Sequence, residues 1–379
     1  MSLKLKKTTL IIVIVLVISQ VVAAQLVKSV NTVKGKLGKK LDHRMSELVE
    51  KGFSGQLLVA RKGKIILAKG YGLADREKQS PVTTDTAGPI GSVTKQFTGA
   101  AILKLEMQGK LNINDPITKY FKDAPPDKEG ITIHHLLTHT SGIPTPVGRC
   151  QASTTRDDFV RMALNSKLES KPGEKYSYSN HGYELLGAII EIASGKSYEQ
   201  YLNDNLFRPS GMNKTGNFLP AWKPNQITVG YRDGKRWGTF FEKIYDLDLP
   251  ATKPNGYVWC SQASGGILST VNDLYKWHLA LEGNRVLSAE AKRKYFTPHV
   301  AEGEGATSYY GYGWAIFTTP RKTKLIAHNG GVNDVFYANF RRYVEEQVVF
   351  IIITNSLFKE QGEREVSREV SQIIFNTSR

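Results

Sequence analysis

Ser92-Val93-Thr94-Lys95, running straight into Gln96-Phe97-Thr98-Gly99-Ala100-Ala101-Ile102-Leu103-Lys104-Leu105, is the stretch that decides how this chain is built. Phe97, Ala101 and Leu105 recur at helical spacing and Gly109 supplies a stop, so a helix is predicted from Ser92 to Gln108. A serine and a lysine three positions apart at a helix start share one face, and the lysine amine can reach the hydroxyl. A serine needs such a base to become a nucleophile, and a lysine can be that base only when burial or positive neighbours lower its pKa. The backbone N–H of Ser92, one of the unpaired donors of a first helical turn, can also point at a developing oxyanion.

The pattern alone is weak, because Ser356-Leu357-Phe358-Lys359 matches it too. Company separates the two. Downstream of Ser92 comes Tyr178-Ser179-Asn180, in a loop that follows Lys171-Pro172-Gly173 and leads into a helix from Tyr183. A phenol there could pass a proton to a leaving group, and an amide could hold a substrate carbonyl. Two further Tyr-x-Asn triplets begin at Tyr201, inside a predicted helix, and Tyr337, inside a predicted strand, where packing is the better reading. Next comes His328-Asn329-Gly330-Gly331, placed directly after a predicted strand Lys324 to Ala327, where small residues would let a substrate backbone lie against the sheet edge. A literal Lys214-Thr215-Gly216 falls in a loop after a helix and reads as a turn.

Before the Ser92 stretch, Gln56 to Ala60 and Lys64 to Lys69 form a predicted hairpin around Arg61-Lys62-Gly63, and a short strand is expected near Ala87 to Ile90. The middle of the chain reads as helices (Asp157 to Ala163, Tyr183 to Ala193, Tyr198 to Leu206) between Pro/Gly-rich loops. After a helix from Val271 to Leu281, strand character returns at Tyr310 to Thr318, Lys324 to Ala327, Val335 to Arg341 and Gln347 to Thr354, before a last helix from Glu360 to Phe375. The expected fold is therefore α/β (α+β): an antiparallel sheet built from both termini and flanked by helices, carrying a large α-rich insertion. In residue terms this gives an α/β part of about 41–100 and 261–379 and an α-rich part of about 101–260, with the active-site cleft between them.

Ser-x-x-Lys, Tyr-Ser-Asn and His-x-Gly in that order resemble the serine β-lactamase and penicillin-binding-protein superfamily, in its class C-like branch. Further stretches are similar to it: His135-Leu136-Leu137-Thr138-His139-Thr140-Ser141-Gly142, Ser264-Gly265-Gly266 and Tyr310-Gly311-Tyr312-Gly313-Trp314. The resemblance spans about residues 45 to 375. It implies that Ser92 attacks a carbonyl, Lys95 takes its proton, Tyr178 handles the leaving-group proton, and the N–H groups of Ser92 and Gly331 form the oxyanion hole. It also implies that Asn180, His328, Asn329 and Gly330 contact substrate, with either Lys95 or Tyr178 as the acylation base. The third motif departs from the Lys-Thr-Gly of many β-lactamases. A histidine grips a carboxylate only while protonated, which moves the expectation toward a peptidase (DD-carboxypeptidase or D-aminopeptidase type) or an esterase. The alternatives are a class C-like β-lactamase and a non-catalytic penicillin- or peptidoglycan-binding protein.

Composition adds boundaries. The 379 residues, 40% hydrophobic and 23% charged, suffice for a large core, and no repeat or low-complexity tract interrupts them. Residues 1–24, with Lys4, Lys6 and Lys7 before the apolar run Leu10 to Ile18, read as a signal peptide or, if uncleaved, a membrane anchor. An exported protein, periplasmic or extracellular, is the expectation. Gln25 to Lys40, with five Lys and no acid, reads as a basic tether. The net charge of +16 is carried without a clustered basic helix or an aromatic-basic ribbon, so no nucleic-acid partner is expected. Cys150 and Cys260 could form a disulfide in an oxidising compartment. No Walker A, Gly-x-Gly-x-x-Gly or His-Glu-x-x-His motif occurs, so neither cofactor nor metal is implied. The expected partner is a small peptide, amide or ester, peptidoglycan included.

Overall fold

The computed structural model describes residues 31–145, 154–247, 259, 261–356 and 363–375. Two apolar runs far apart in the chain become neighbours. Ser54–Arg61 pairs antiparallel with Val348–Ser356, Leu58 opposite Ile351, at the centre of an 11-stranded sheet. From there one wing runs through Lys64–Tyr71 to Thr32–Val33. The other runs through Phe336–Tyr343, Lys324–Val332, Ala315–Thr318 and Ser308–Tyr310 to Val300–Ala301. The central strands are rich in β-branched and aliphatic residues because both of their faces are covered.

Alternation along Ser54–Arg61 divides the core in two. Leu57 and Val59 point to one face, where Leu41, Met45 and Leu48 of the helix Gly35–Glu50 meet Val366, Val370 and Ile374 of the helix Glu363–Phe375. Leu58 and Ala60 point to the other, against the helix Lys95–Met107, whose Phe97, Ala101 and Leu105 are fully buried as their spacing predicts. That helix packs in turn on the helical middle of the chain.

Several expectations change. Part of the supposed basic tether is folded: Thr32–Val33 pairs with Lys64–Tyr71, and Gly35 to Lys40 open a helix that runs to Glu50. The α-rich middle also contributes a hairpin, Gly230–Arg232 with Lys235–Gly238, to the main sheet beside Ser356. Tyr310 to Thr318 is two strands, Ser308–Tyr310 and Ala315–Thr318, and the turn between them carries Gly313 at φ 82, where a Cβ would sit 2.5 Å from the carbonyl oxygen of Lys95. The Tyr198 helix passes at Asn203 into a wider turn, Asn203–Phe207. His328 to Gly331 lie within the strand Lys324–Val332 and not after it. Cys150, Cys260, Lys359 and residues 1–24 lie outside the described residues.

The decoys have structural employment. Ser356 Oγ donates to the Gly52 carbonyl at 3.1 Å and accepts from Arg76 at 2.8 Å. Tyr201 and Tyr337 are buried, and Thr215 Oγ1 lies 3.0 Å from Asp273, away from the main sheet.

Candidate active site

Two glycines bring the first and third motifs together. Gly91, at φ +50, turns the chain into the single 3-10 turn Gly91–Thr94, from which Lys95 opens its α-helix. A Cβ on Gly91 would lie 2.8 Å from the Gly331 nitrogen. One on Gly330 would lie 2.1 Å from the Ile90 oxygen and 2.5 Å from the Ser92 nitrogen. Backbone thus lies on backbone at the nucleophile turn, which only glycine permits. The turn is tied down on its other side by Ile90 N–H to Ile267 O at 3.0 Å and by the pairing of Gly88–Pro89 with Leu268–Ser269.

The register shows what the strand Lys324–Val332 offers. Val344 N–H donates to Lys324 O at 3.0 Å, so even-numbered residues bond toward Phe336–Tyr343 and odd-numbered ones toward the opposite side. On that side the partner Ala315–Thr318 ends at Ala315 opposite Ala327. Asn329 and Gly331 therefore hold their backbone groups at an open edge, and both are exposed. The Gly331 amide lies against the Ser92 turn. The Asn329 side chain goes elsewhere: its cross-strand partner Asn339 bonds to Ser367 of the last helix, on the face away from Ser92. Pleat alternation puts this side chain on the far face, so what Asn329 brings to the open edge is its backbone.

Lys95 is completely buried and its Nζ reaches three oxygens: Ser92 Oγ at 3.1 Å, Asn180 Oδ1 at 2.7 Å and the Ser264 carbonyl at 2.8 Å. The last two can only accept. A neutral amine gives them its two hydrogens and turns its lone pair to the Ser92 hydroxyl. Burial lowers the Lys95 pKa to about 7, against the pull of the Glu184 charge, which raises it. Glu184 is itself buried, accepts the N–H groups of Ala263 and Ser264 at 3.1 and 2.9 Å, and is pushed up to about 7 by desolvation.

Asn180 opens the helix Asn180–Ser194, capped by the Ser179 hydroxyl, so its side chain is set on a rigid element. Tyr178 precedes that cap. Its ring lies 4.8 Å from Lys95 Nζ and 4.3 Å from the His139 ring. Tyr178 keeps 38% of its surface open, yet its hydroxyl sits among protein atoms. That burial drives its pKa above the ordinary phenol value, a hydrogen bond with Ser92 opposes the shift, and the Glu302 carboxylate adds to it. The phenol is therefore protonated at neutral pH. His139, at φ +58, accepts the Ser179 N–H on Nδ1 at 3.0 Å and so braces the loop from behind.

His328 is buried, its Nδ1 2.6 Å from the Asn329 carbonyl and its Nε2 2.9 Å from the Tyr310 hydroxyl. The carbonyl accepts, so Nδ1 carries the hydrogen and Nε2 receives the tyrosine O–H. Burial, with the Lys95 charge nearby, lowers its pKa to about 3. It is a neutral residue whose ring is fully engaged, not a cation.

Ser92, Lys95, Tyr178, Asn180, His328, Gly330 and Gly331, far apart in sequence, come together at one place, and Glu184, His139 and Glu302 join them without a motif of their own. The signal for Glu184 was available: a lone acid in the apolar run Tyr183 to Ile190. His139 and Ser264 lay in stretches quoted only for their resemblance.

A family model described as Beta-lactamase matches residues 41–373. Penicillin-binding protein 4* of Bacillus subtilis is 30% identical over 336 residues, covering 85% of this chain and 72% of that protein. The octameric penicillin-binding protein homologue from Pyrococcus abyssi superposes with a TM-score of 0.75 at 28% identity, covering 90% of this chain and 78% of that one. The D-amino acid amidase from Ochrobactrum anthropi, at 24% identity and a TM-score of 0.74, covers 90% of this chain and 99% of its own and shares the fold.

Proposed function

Since this chain belongs to the Beta-lactamase family and is a serine hydrolase, we propose that it is a peptidase of the DD-carboxypeptidase or D-aminopeptidase type, or an esterase, working through an acyl-enzyme on Ser92. The observation that carries the reading is the placement of Lys95, buried, near neutrality in pKa, with its lone pair left for the Ser92 hydroxyl.

In this reading Lys95 takes the Ser92 proton as Oγ bonds to the substrate carbonyl carbon. Tyr178, a protonated phenol, is the carrier and not the base. It gives its proton to the departing amine or alkoxide and recovers one from the Lys95 ammonium. The N–H groups of Ser92 and Gly331 receive the oxyanion, a contribution worth about 10²–10³ in rate for each donor of this kind. Asn180, its oxygen engaged by Lys95, offers its NH₂ to the acyl amide. Water then attacks the ester carbon, the same groups return the protons, and Ser92 is released.

The substrate class follows from His328. Neutral and doubly engaged, it offers no ammonium of the kind a Lys-Thr-Gly motif brings to a β-lactam carboxylate. Amides and esters uncharged at that position fit best, which favours the D-aminopeptidase and esterase alternatives over a carboxypeptidase, whose substrate carries a terminal carboxylate there. Residues 1–24 motivate export, with a small envelope substrate met outside the cytoplasm. Turnover of p-nitrophenyl esters, D-amino acid amides, D-Ala-D-Ala peptides and a chromogenic cephalosporin, compared by kcat/KM, tests this. Ester or amide turnover well above that of the cephalosporin is expected, and a preference for the cephalosporin would contradict it.

A further inference from the structure

The sheet carries a second concave place, on the face opposite Ser92. Where the helix Glu363–Phe375 stops covering the outer strands, a cavity of about 800 Å³ opens. Phe317, Tyr337 and Phe375 give it aromatic walls. Arg321, Arg341 and Arg368 line it as well, and no Asp or Glu is among its lining residues.

The three guanidinium groups are not equivalent. Arg321 is paired with Glu346 at 2.7 Å and lies 3.7 Å from the centre of the Phe375 ring, and Arg368 is paired with Glu365 at 2.7 Å. Arg341, half-buried in the floor opposite Ala327, pairs with no carboxylate among the described residues. It lies over the Phe350 ring at 5.5 Å and donates to Asn339 Oδ1 at 3.3 Å and Ser371 Oγ at 3.4 Å. Both bonds are long for a charged donor and both acceptors are neutral. A planar fork held this loosely keeps most of its capacity for a two-oxygen anion. The volume is that of a small-molecule site, and the aromatic walls suit an apolar body.

We propose that this groove binds a single-chain amphiphile with an anionic head, carboxylate or phosphate, whose oxygens meet Arg341 while its chain lies along the aromatic walls. The cavity lies on the face opposite Ser92 but shares His328 and Asn329 of the strand Lys324–Val332 with the active site, so binding is tested in the full-length Ser92→Ala protein, where substrate chemistry is off. Dodecanoate and dodecyl phosphate, each below its micelle concentration, are titrated by calorimetry, with dodecyltrimethylammonium as the cationic control. Saturable one-to-one binding of at least one anion is expected, and the stronger of the two identifies the head group. Arg341→Gln should weaken it at least tenfold with ester turnover of the otherwise wild-type enzyme unchanged. Arg368→Gln, at the half-exposed rim, gives a second reading with a loss of a few-fold and serves if Arg341→Gln does not fold. Equal binding of the cationic amphiphile, no saturable anion binding, or undiminished affinity in the folded arginine variants would overturn the proposal.

Discussion

Lys95 works because its surroundings hold it without charging it. Two pure acceptors fix the amine, burial lowers its pKa to about 7, and the nearest acid, Glu184, is itself raised toward neutrality. The base form is lost as pH falls through that value. The kcat/KM for a neutral ester should therefore decline about tenfold per pH unit below an acid limb near 7, and Tyr178, its pKa raised, should add no limb near neutrality. Glu184 favours the ammonium, so Glu184→Gln should move the limb to lower pH. A pH-rate profile of both proteins checks the sign, and an upward shift would contradict the arrangement. His328, already neutral above about 3, should add no inflection in the ordinary histidine range. The Ser92/Lys95 relation was legible because helical spacing dictates it. The state of His328 was not, since its neutrality comes from burial contributed by distant strands and from the Lys95 charge nearby.

At the scale of elements, the site depends on a strand running on past the point where its sequence argues it should stop. Asn329-Gly330-Gly331 is poor strand material, so an end at Ala327 was the natural reading. The strand continues because the Ser92 turn needs backbone without side chains against it, and glycine supplies that contact. Gly330→Ala would press a Cβ into the Ile90 carbonyl and the Ser92 nitrogen. We expect a loss of about 1–3 kcal/mol in stability from overpacking and of about 10² in kcat/KM as the oxyanion donors separate. Chemical denaturation and steady-state kinetics read the two effects. Near-normal activity would mean that the turn is not held by this contact. The Tyr178 loop follows the same logic, since the His139 ring and the Ser179 cap fix it from residues about 40 apart in sequence, a relation no local pattern reveals.

Across the whole molecule, the sheet closes by placing an N-terminal strand beside a C-terminal one and sealing one face with the two terminal helices. The strands were legible as apolar runs. The helix Gly35–Glu50 was not, because its lysines mask the stripe that Leu37, Leu41, Met45 and Leu48 form beneath them. Met45→Ala should cost about 2–5 kcal/mol and lower Tm while leaving kcat/KM at moderate temperature unchanged, because that core lies on the face away from Ser92. A fall in kcat/KM at full folding would show that the two faces are coupled. Whether Ser92 is the nucleophile is decided by intact-mass and peptide mass spectrometry after reaction with a fluorescent penicillin or an alkyl phosphonate. One adduct per chain is expected, on the peptide holding Ser92, and none in Ser92→Ala; equal labelling of both proteins, or an adduct on another residue, would rule Ser92 out.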